Sequence, residues 1–202
     1  RAWQLDQLSE TAATLSLRYA PVADGWPWPF LATQRFVLTP DGLDAEMILR
    51  NEGDSDMPAG GGFHPYFART PGMRVQFDAA YMWPVDAGEV ATGRATITAR
   101  EDFRSSRALS EESLSVYYSG WQQQAVVTRA DGASMAMTAD DPLDHFILHA
   151  PGGQPYFCLE PVSHVADAVN LSARGWEGTG LRTLAPGETM HLRMQLRIDA
   201  GS

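Results

Sequence analysis

The sequence is poor in cysteine, in basic charge and in long apolar runs, and each shortage excludes a class of protein. Cys158 is the only cysteine among the 202 residues, so they can form neither an intramolecular disulfide nor a zinc-ribbon pattern. The net charge is −10 and the fifteen basic residues are scattered, whereas nucleic-acid binding needs a basic stripe. No apolar run approaches the roughly 20 residues of a membrane-spanning helix. We therefore expect neither a nucleic acid nor a membrane as a partner.

The chain begins at Arg1-Ala-Trp, without a methionine and without the layout of a signal peptide. We therefore expect that further residues precede Arg1 in the natural protein and that the protein is cytoplasmic. A chain of this length can bury one substantial core, and all-β domains of this size often remain undivided. The sequence thus predicts a single domain over residues 1–202.

Strand periodicity recurs along the chain, whereas helical periodicity is nearly absent. Residues 190–199 alternate apolar and polar side chains with a period of two. Residues 35–51 and 125–140 predict hairpins, because each places Asp-Gly turn chemistry between alternating segments. Three shorter segments are also predicted to be strands, namely 13–19, 73–79 and 95–100. A turn at 110–114 is the only helical signal, so the pattern predicts an all-β fold, a large antiparallel β-sandwich.

Residues 60–69 read Gly-Gly-Gly-Phe-His-Pro-Tyr-Phe-Ala-Arg and do not suit a core strand, because glycine weakens strand interiors. Consecutive glycines suit a turn or a place where the backbone approaches a ligand. In an extended chain, His64 and Tyr66 point to one side and Phe67 to the other. Pro65 forbids a helix and a central ladder position, so an edge, a bend or a bulge is predicted. Residue type alone leaves His64 open between a structural role, the commoner case, and a functional one.

Glu160 follows an apolar run, 156–159, that predicts a buried strand. A carboxylate in this position can pair with a cation, face solvent at the strand end, or be held for use as a general base. Burial beside apolar groups would raise its pKa toward that of a working base. A solvated strand end is the commoner arrangement, and the sequence leaves all three open.

His145 and His149 lie four residues apart in a segment that alternates like a strand, which places both on one sheet face. Two histidines on one face can ligate a metal, but no third ligand is evident nearby in the sequence. We therefore expect a structural role for the pair and no metal site.

Two segments nearly a hundred residues apart carry a specific pattern. The first, residues 51–67, reads N-E-G-D-S-D-M-P-A-G-G-G-F-H-P-Y-F. The second, residues 157–170, reads F-C-L-E-P-V-S-H-V-A-D-A-V-N, and L-A-P-G-E at 184–188 precedes the last predicted strand. Together these segments resemble the aldose 1-epimerase (galactose mutarotase) family. The resemblance runs through essentially all of the chain, as the C-terminal two-thirds of such a protein.

The resemblance implies a galactose mutarotase-like β-sandwich that interconverts the α and β anomers of an aldose. His64 would be the general acid at the ring oxygen and Glu160 the general base at the anomeric hydroxyl, with Tyr66 in contact with the substrate. The implied partner is a small sugar, and no metal or organic cofactor is implied. Sugar sites of this kind have aromatic walls, for which the candidates are Trp26, Trp28, Tyr66 and Trp121.

The sequence departs from the family pattern in two places. An aspartate that contacts sugar hydroxyls in the family is matched by Ser115 in L-S-V-Y-Y-S-G-W, and an uncharged hydroxyl makes the weaker hydrogen bond. The family's arginine and first histidine of the sugar site lie upstream of the segment that matches Arg1. An inactive carbohydrate-binding module on the same fold therefore stays open as an alternative. A sugar-phosphate epimerase also stays open, with candidate arginines Arg35, Arg50, Arg69 and Arg74.

Overall fold

The computed structural model describes residues 2–86, 88 and 90–201, and strands dominate this part of the chain. A single short helix, α1 (Ala168–Ala173), accompanies them. The strands in chain order are β1 (Gln4–Leu8), β2 (Ala12–Tyr19), β3 (Phe30–Thr39), β4 (Gly42–Asn51), β5 (Met57–Ala59), β6 (Tyr66–Ala68), β7 (Arg74–Phe77), β8 (Tyr81–Trp83), β9 (Leu114–Ser119), β10 (Gln124–Thr128), β11 (Ser134–Ala139), β12 (His145–Ala150), β13 (Tyr156–Val162), β14 (Arg182–Leu184) and β15 (Thr189–Asp199). The all-β prediction is confirmed.

The strands pair into an eight-stranded sheet, a five-stranded sheet and a two-stranded sheet. The large sheet has the order β1-β2-β3-β4-β15-β11-β10-β7, and the smaller ones have the orders β6-β13-β12-β9-β8 and β14-β5. Neighbouring strands are antiparallel throughout. The predicted hairpins are β3–β4 and β10–β11, each closed across its Asp-Gly turn.

The core lies between the large sheet and the five-stranded sheet. Phe77 of β7 packs edge-on against Phe146 of β12, with ring centroids 4.8 Å apart. Phe157 and Leu159 of β13 are fully buried in the same cluster as Leu192 of β15. Burial of each such side chain contributes about 1.5–3 kcal/mol. The two sheets therefore pack face to face, as the predicted sandwich requires.

Two local predictions are wrong. Residues 95–100 form no strand, because only Ala95 pairs, in an isolated bridge with Met82. The predicted turn at 110–114 is not helical either, since residues 111–112 bend and β9 begins at Leu114. The helix forms instead at Ala168–Ala173, where six residues are too few to show a helical period in the sequence. In the described residues, no helix has the length and the apolar character that crossing a bilayer requires.

Candidate active site

Strand β13 turns Glu160 and Cys158 away from the core. Side chains alternate between the two faces of a strand, so the buried Phe157 and Leu159 point into the sandwich while Cys158 and Glu160 point to the opposite face. Glu160 lies inside the strand and is only 6% exposed. A solvated strand end, the commoner arrangement for such a residue, is therefore wrong here.

On this face, a row of directly paired residues runs across four strands of the five-stranded sheet. Tyr66 pairs with Cys158, Cys158 with His149, and His149 with Ser115. Directly paired residues project to the same side of a sheet, so Tyr66 and Ser115 share the face of Glu160. Two strand spacings, about 10 Å, separate Ser115 from Cys158. This span suits a small ligand that lies across the sheet.

A second row closes one end of the same face. Glu160 pairs with Ile147, Ile147 with Tyr117, and Tyr117 with Trp83. Trp83 is fully buried in a separate hydrophobic cluster that includes Leu171 of α1, and Tyr117 packs against that cluster. The helix side of the face is therefore closed by apolar packing, while Tyr66 at the other end of the sheet is exposed.

His64 and Glu160 contact each other directly. Nε2 of His64 lies 3.4 Å from Oε1 of Glu160, and the His64 side chain is half exposed. The acid and base roles assigned to His64 and Glu160 predict a shared face with room for a sugar ring between the two side chains. The shared face is present, but the 3.4 Å contact leaves no such room. A ligand can reach both groups only from the solvent side of the pair.

Burial shapes the electrostatics of this face. Removal of the Glu160 carboxylate from water raises its pKa to about 7, because a low-polarity environment disfavours the charged form. Burial, and next the Glu160 charge, raise the pKa of the Cys158 thiol to about 11. At neutral pH, Glu160 can therefore both accept and release a proton, as a general base must.

Tyr66 fixes the orientation of His64. The two rings stack with centroids 4.9 Å apart and an angle of 11° between their planes, so the predicted common side of His64 and Tyr66 is confirmed. Phe67 lies on the other side, where its ring packs against Phe157 at 5.5 Å. Strand β6 is the edge strand of its sheet, which confirms the edge position predicted from Pro65.

The glycine run lets the backbone before His64 lie against the end of β13. Gly62 forms an isolated bridge with Val162, and the N–H of Phe63 donates to the carbonyl oxygen of Pro161 at 3.0 Å. A Cβ atom on Gly62 would lie 2.7 Å from that same oxygen, well inside van der Waals contact. The close approach predicted for these glycines is therefore to the chain's own backbone, and it places His64 beside Glu160.

We expect Gly62→Ala to destabilise the protein by about 1–3 kcal/mol, the usual cost of forcing an extra carbon into a packed position. The clash is with backbone as well as with Val162, so a side-chain rotation alone cannot relieve it. Denaturant unfolding of wild type and variant measures the effect. An unchanged unfolding midpoint would contradict this role for Gly62.

For the other aromatic candidates, the recorded ring contacts are with residues other than His64 and Glu160. Trp121 is buried and stacks on Phe146 at 4.3 Å in the core, so its prediction as a site wall is wrong. Trp26 packs on Trp28 at 5.0 Å, and it lines an apolar cavity of about 410 Å³ together with His164. Among the four candidates, the ring contact with His64 that the structure records is that of Tyr66.

The histidine pair divides between two roles. His145 is buried, and its ring lies 2.8 Å from Asp144 Oδ1 and 3.1 Å from the Gly178 carbonyl oxygen, which fits the structural role we expected. His149 lies further along the same face of β12, in the row with Cys158 and Ser115, and its Nδ1 is 3.3 Å from Ser115 Oγ. His149 and Tyr117 were not among the site candidates predicted from the sequence, although the alternation of both strands places them on the face of Ser115.

Asn51, which begins the first of the two sequence segments, supports the backbone. Asn51 is fully buried, and its Nδ2 donates to the carbonyl oxygens of Ser55 and Leu184 at 2.8 Å each. Its Oδ1 accepts from the N–H of Gly53 at 2.8 Å. Asn51 therefore holds the turn after β4 against β14 and needs no ligand to satisfy its polar groups.

The arginines considered for a sugar phosphate lie elsewhere. Arg35 and Arg50 lie on β3 and β4 of the large sheet, and Arg74 of β7 bonds Ser106 at 3.3 Å. Arg69 donates to the carbonyl oxygens of Leu109 and Ser110. None of these recorded contacts involves His64 or Glu160, so they do not favour a phosphorylated substrate.

The two packed antiparallel sheets and the histidine–glutamate pair define a mutarotase-like β-sandwich. The family model for aldose 1-epimerase matches residues 1–197. The chain therefore belongs to the aldose 1-epimerase family.

Individual relatives agree with the fold. The chain is 29% identical over 182 residues to the uncharacterised protein YphB of Escherichia coli K12, covering 84% of this chain and 60% of YphB. A solved structure of a candidate aldose 1-epimerase from the same organism has a TM-score of 0.87 at 26% identity, over 98% of this chain and 68% of that one. A GalM/aldose epimerase homologue from C. elegans has a TM-score of 0.83 at 16% identity, and the match covers 100% of this chain and 70% of that one. The chain thus spans about 60% of the length of the curated relative.

Proposed function

We propose that the protein is an aldose 1-epimerase that interconverts the α and β anomers of an uncharged aldose. One observation carries the proposal: a buried carboxylate, Glu160, whose pKa burial raises to about 7, lies 3.4 Å from the half-exposed imidazole of His64. Anomer interconversion needs one group that accepts a proton and one that donates a proton, both within reach of the same carbon. Membership of the aldose 1-epimerase family supports the same reaction.

In the ring-opening half of the reaction, Glu160 accepts the proton of the anomeric hydroxyl and His64 donates a proton to the ring oxygen. The bond between C1 and the ring oxygen breaks, and an open-chain aldehyde forms. Because both oxygens are bonded to C1, an acid and a base in contact at 3.4 Å can serve them together. Each positioned proton transfer contributes roughly 10²- to 10⁴-fold in rate.

In the ring-closing half, rotation about the C1–C2 bond presents the other face of the aldehyde. The C5 hydroxyl attacks C1 while His64 takes back its proton, and Glu160 returns its proton to the carbonyl oxygen. The opposite anomer forms and both side chains regain their starting protonation states. Only protons move between protein and sugar, so the proposed mechanism calls for no cofactor.

Tyr66 and Ser115 are proposed to contact the sugar hydroxyls. They lie at opposite ends of the row that crosses the sheet, with Cys158 and His149 between them. The Ser115 hydroxyl already interacts with His149 at 3.3 Å, so a sugar hydroxyl would join an existing polar pair. Polarimetry of the full-length protein with freshly dissolved aldoses tests the proposal, which requires mutarotation faster than in buffer.

We expect kcat/KM to fall about tenfold for each pH unit below about 7. A general base must be ionised in the free enzyme, and burial raises the pKa of Glu160 to about 7. The ionised fraction of Glu160 therefore declines as the pH falls through 7. Initial mutarotation rates between pH 5 and 8, corrected for the buffer rate, measure the profile. A flat profile down to pH 5 would contradict the role of Glu160.

Ser115 is the observation that favours a second candidate, an inactive carbohydrate-binding module. A hydroxyl lies where the family pattern has an aspartate, and a charged acceptor makes the stronger hydrogen bond to a sugar. Such a module would bind a sugar on the same face and leave its mutarotation at the buffer rate. Measured rates and affinities of the wild type therefore separate the two candidates.

We expect Ser115→Asp to lower KM severalfold for at least one aldose, because a charged acceptor binds hydroxyls more strongly. The new carboxylate would lie beside His149, which already contacts Ser115. Ser134→Asp, on β11 of the large sheet, is a matched control for the added charge. A KM that rises or stays constant for every aldose tested would count against Ser115 as a sugar contact.

A further inference from the structure

Cys158 lies on the proposed site face without a part in the proton transfers. One ligand atom each of His64, Cys158 and Glu160 lies within 4.8 Å of the others. Cys158 and Glu160 occupy alternate positions of β13, and His64 belongs to the segment that runs along that strand. The three side chains therefore converge on one point of the sheet, two from β13 and one from the segment that precedes β6.

The donor set is that of a zinc site. Imidazole nitrogen, thiolate sulfur and carboxylate oxygen are all zinc ligands, with bonds of about 2.0–2.3 Å. In a tetrahedral site these bonds place ligand atoms about 3.3–3.8 Å apart. The His64–Glu160 contact of 3.4 Å already has this spacing. The separations within the trio are at most 4.8 Å, so side-chain shifts of about 1 Å complete the geometry.

We propose that His64, Cys158 and Glu160 form a three-ligand site for a borderline-soft divalent transition-metal ion such as Zn²⁺. The ion enters past the half-exposed His64, the Cys158 thiol releases its proton to solvent, and a water completes the fourth position. Mg²⁺ prefers oxygen ligands in octahedral geometry and is excluded by this set. Because the ion occupies His64 and Glu160, metal and sugar exclude each other, and Zn²⁺ inhibits the proposed epimerase.

Co²⁺ is the probe, because a cobalt–thiolate bond gives a charge-transfer band in the near ultraviolet. Chelator-treated full-length protein is titrated with Co²⁺, and we expect the band to saturate at one equivalent and to disappear when Zn²⁺, but not Mg²⁺, is added. Cys158→Ser should lose the band and bind Co²⁺ at least about tenfold more weakly, since even an outer-shell partner of a metal is worth 10- to 100-fold. His191→Asn is the control, because His191 is an exposed histidine on the large sheet, 3.5 Å from Glu46.

A wild type without the band overturns the proposal whatever the variants do, and so does a Cys158→Ser protein that keeps the band. If Cys158→Ser does not fold, His64→Asn is used instead, because the His64 side chain is half exposed. Loss of the His64 imidazole should weaken Co²⁺ binding at least about tenfold. The cobalt titration uses no sugar. A band in a protein that fails to accelerate mutarotation would therefore support the metal site while overturning the proposed function.

Discussion

Glu160→Gln is expected to lower anomer interconversion at least about a hundredfold while sugar binding persists. Glutamine keeps the shape and most hydrogen bonds of glutamate, but it cannot accept the proton of the anomeric hydroxyl. General-base catalysis is worth roughly 10²- to 10⁴-fold, so kcat should carry the loss and KM should change little. Polarimetry gives the rate, and calorimetric titration gives the sugar affinity. A variant that keeps more than a tenth of the wild-type kcat would contradict the assignment.

Two controls separate lost chemistry from lost folding. Glu111 is almost fully exposed, so Glu111→Gln should leave the rate unchanged. Glu160→Gln should also be more stable than wild type above pH 7. The folded protein holds the Glu160 pKa at about 7 instead of 4.5, so the charge costs the wild type up to roughly 3 kcal/mol once it is ionised. This difference should develop as the pH rises from about 4.5 to 7, and thermal unfolding at both pH values measures it.

His64→Asn is expected to lower the rate by a similar factor, at least about a hundredfold. Asparagine keeps a polar group near Glu160 but cannot deliver a proton to the ring oxygen. Loss of the imidazole also removes its stacking on Tyr66 at 4.9 Å. His191→Asn, at an exposed position of the large sheet, should keep the wild-type rate. Equal rates for both variants would remove His64 from the mechanism.

The variants Glu160→Gln and His64→Asn also decide between the enzyme and the binding module. The module predicts that the wild type is no faster than buffer and that Glu160→Gln changes only the affinity for sugar. The enzyme hypothesis predicts the reverse for Glu160→Gln and His64→Asn, a large change in mutarotation rate with a small change in sugar affinity. Residues that act as one unit are not additive, so the double variant should be little slower than either single one.

Much of the fold could be predicted because its signals are local. The alternation in residues 190–199 and the Asp-Gly turns specify β15 and the β3–β4 and β10–β11 hairpins within short windows. The strand predicted at 95–100 does not form, although the same alternation is present there. The reason is not local, because the segment pairs only at Ala95. Strand pairing depends on what lies alongside, and one segment does not contain that information.

The sequence pointed to candidate site residues, but it could not predict how they come together. The family resemblance pointed to His64 and Glu160, yet their direct contact depends on Gly62 lying against Val162 a hundred residues away. The row that joins Ser115 to His149 and Tyr66 is likewise a matter of register between four strands. A shift of one residue would turn these side chains to the other face of the sheet. Sequence patterns fix such a register only after the strand order is known.

The most direct test of the account is polarimetry of the full-length wild type against buffer, with a panel of freshly dissolved aldoses at pH 7.5. We predict that mutarotation of at least one aldose is accelerated in proportion to protein concentration and that Glu160→Gln abolishes the acceleration. Rates equal to buffer for every aldose, in a folded protein that binds sugar, would contradict the proposed epimerase.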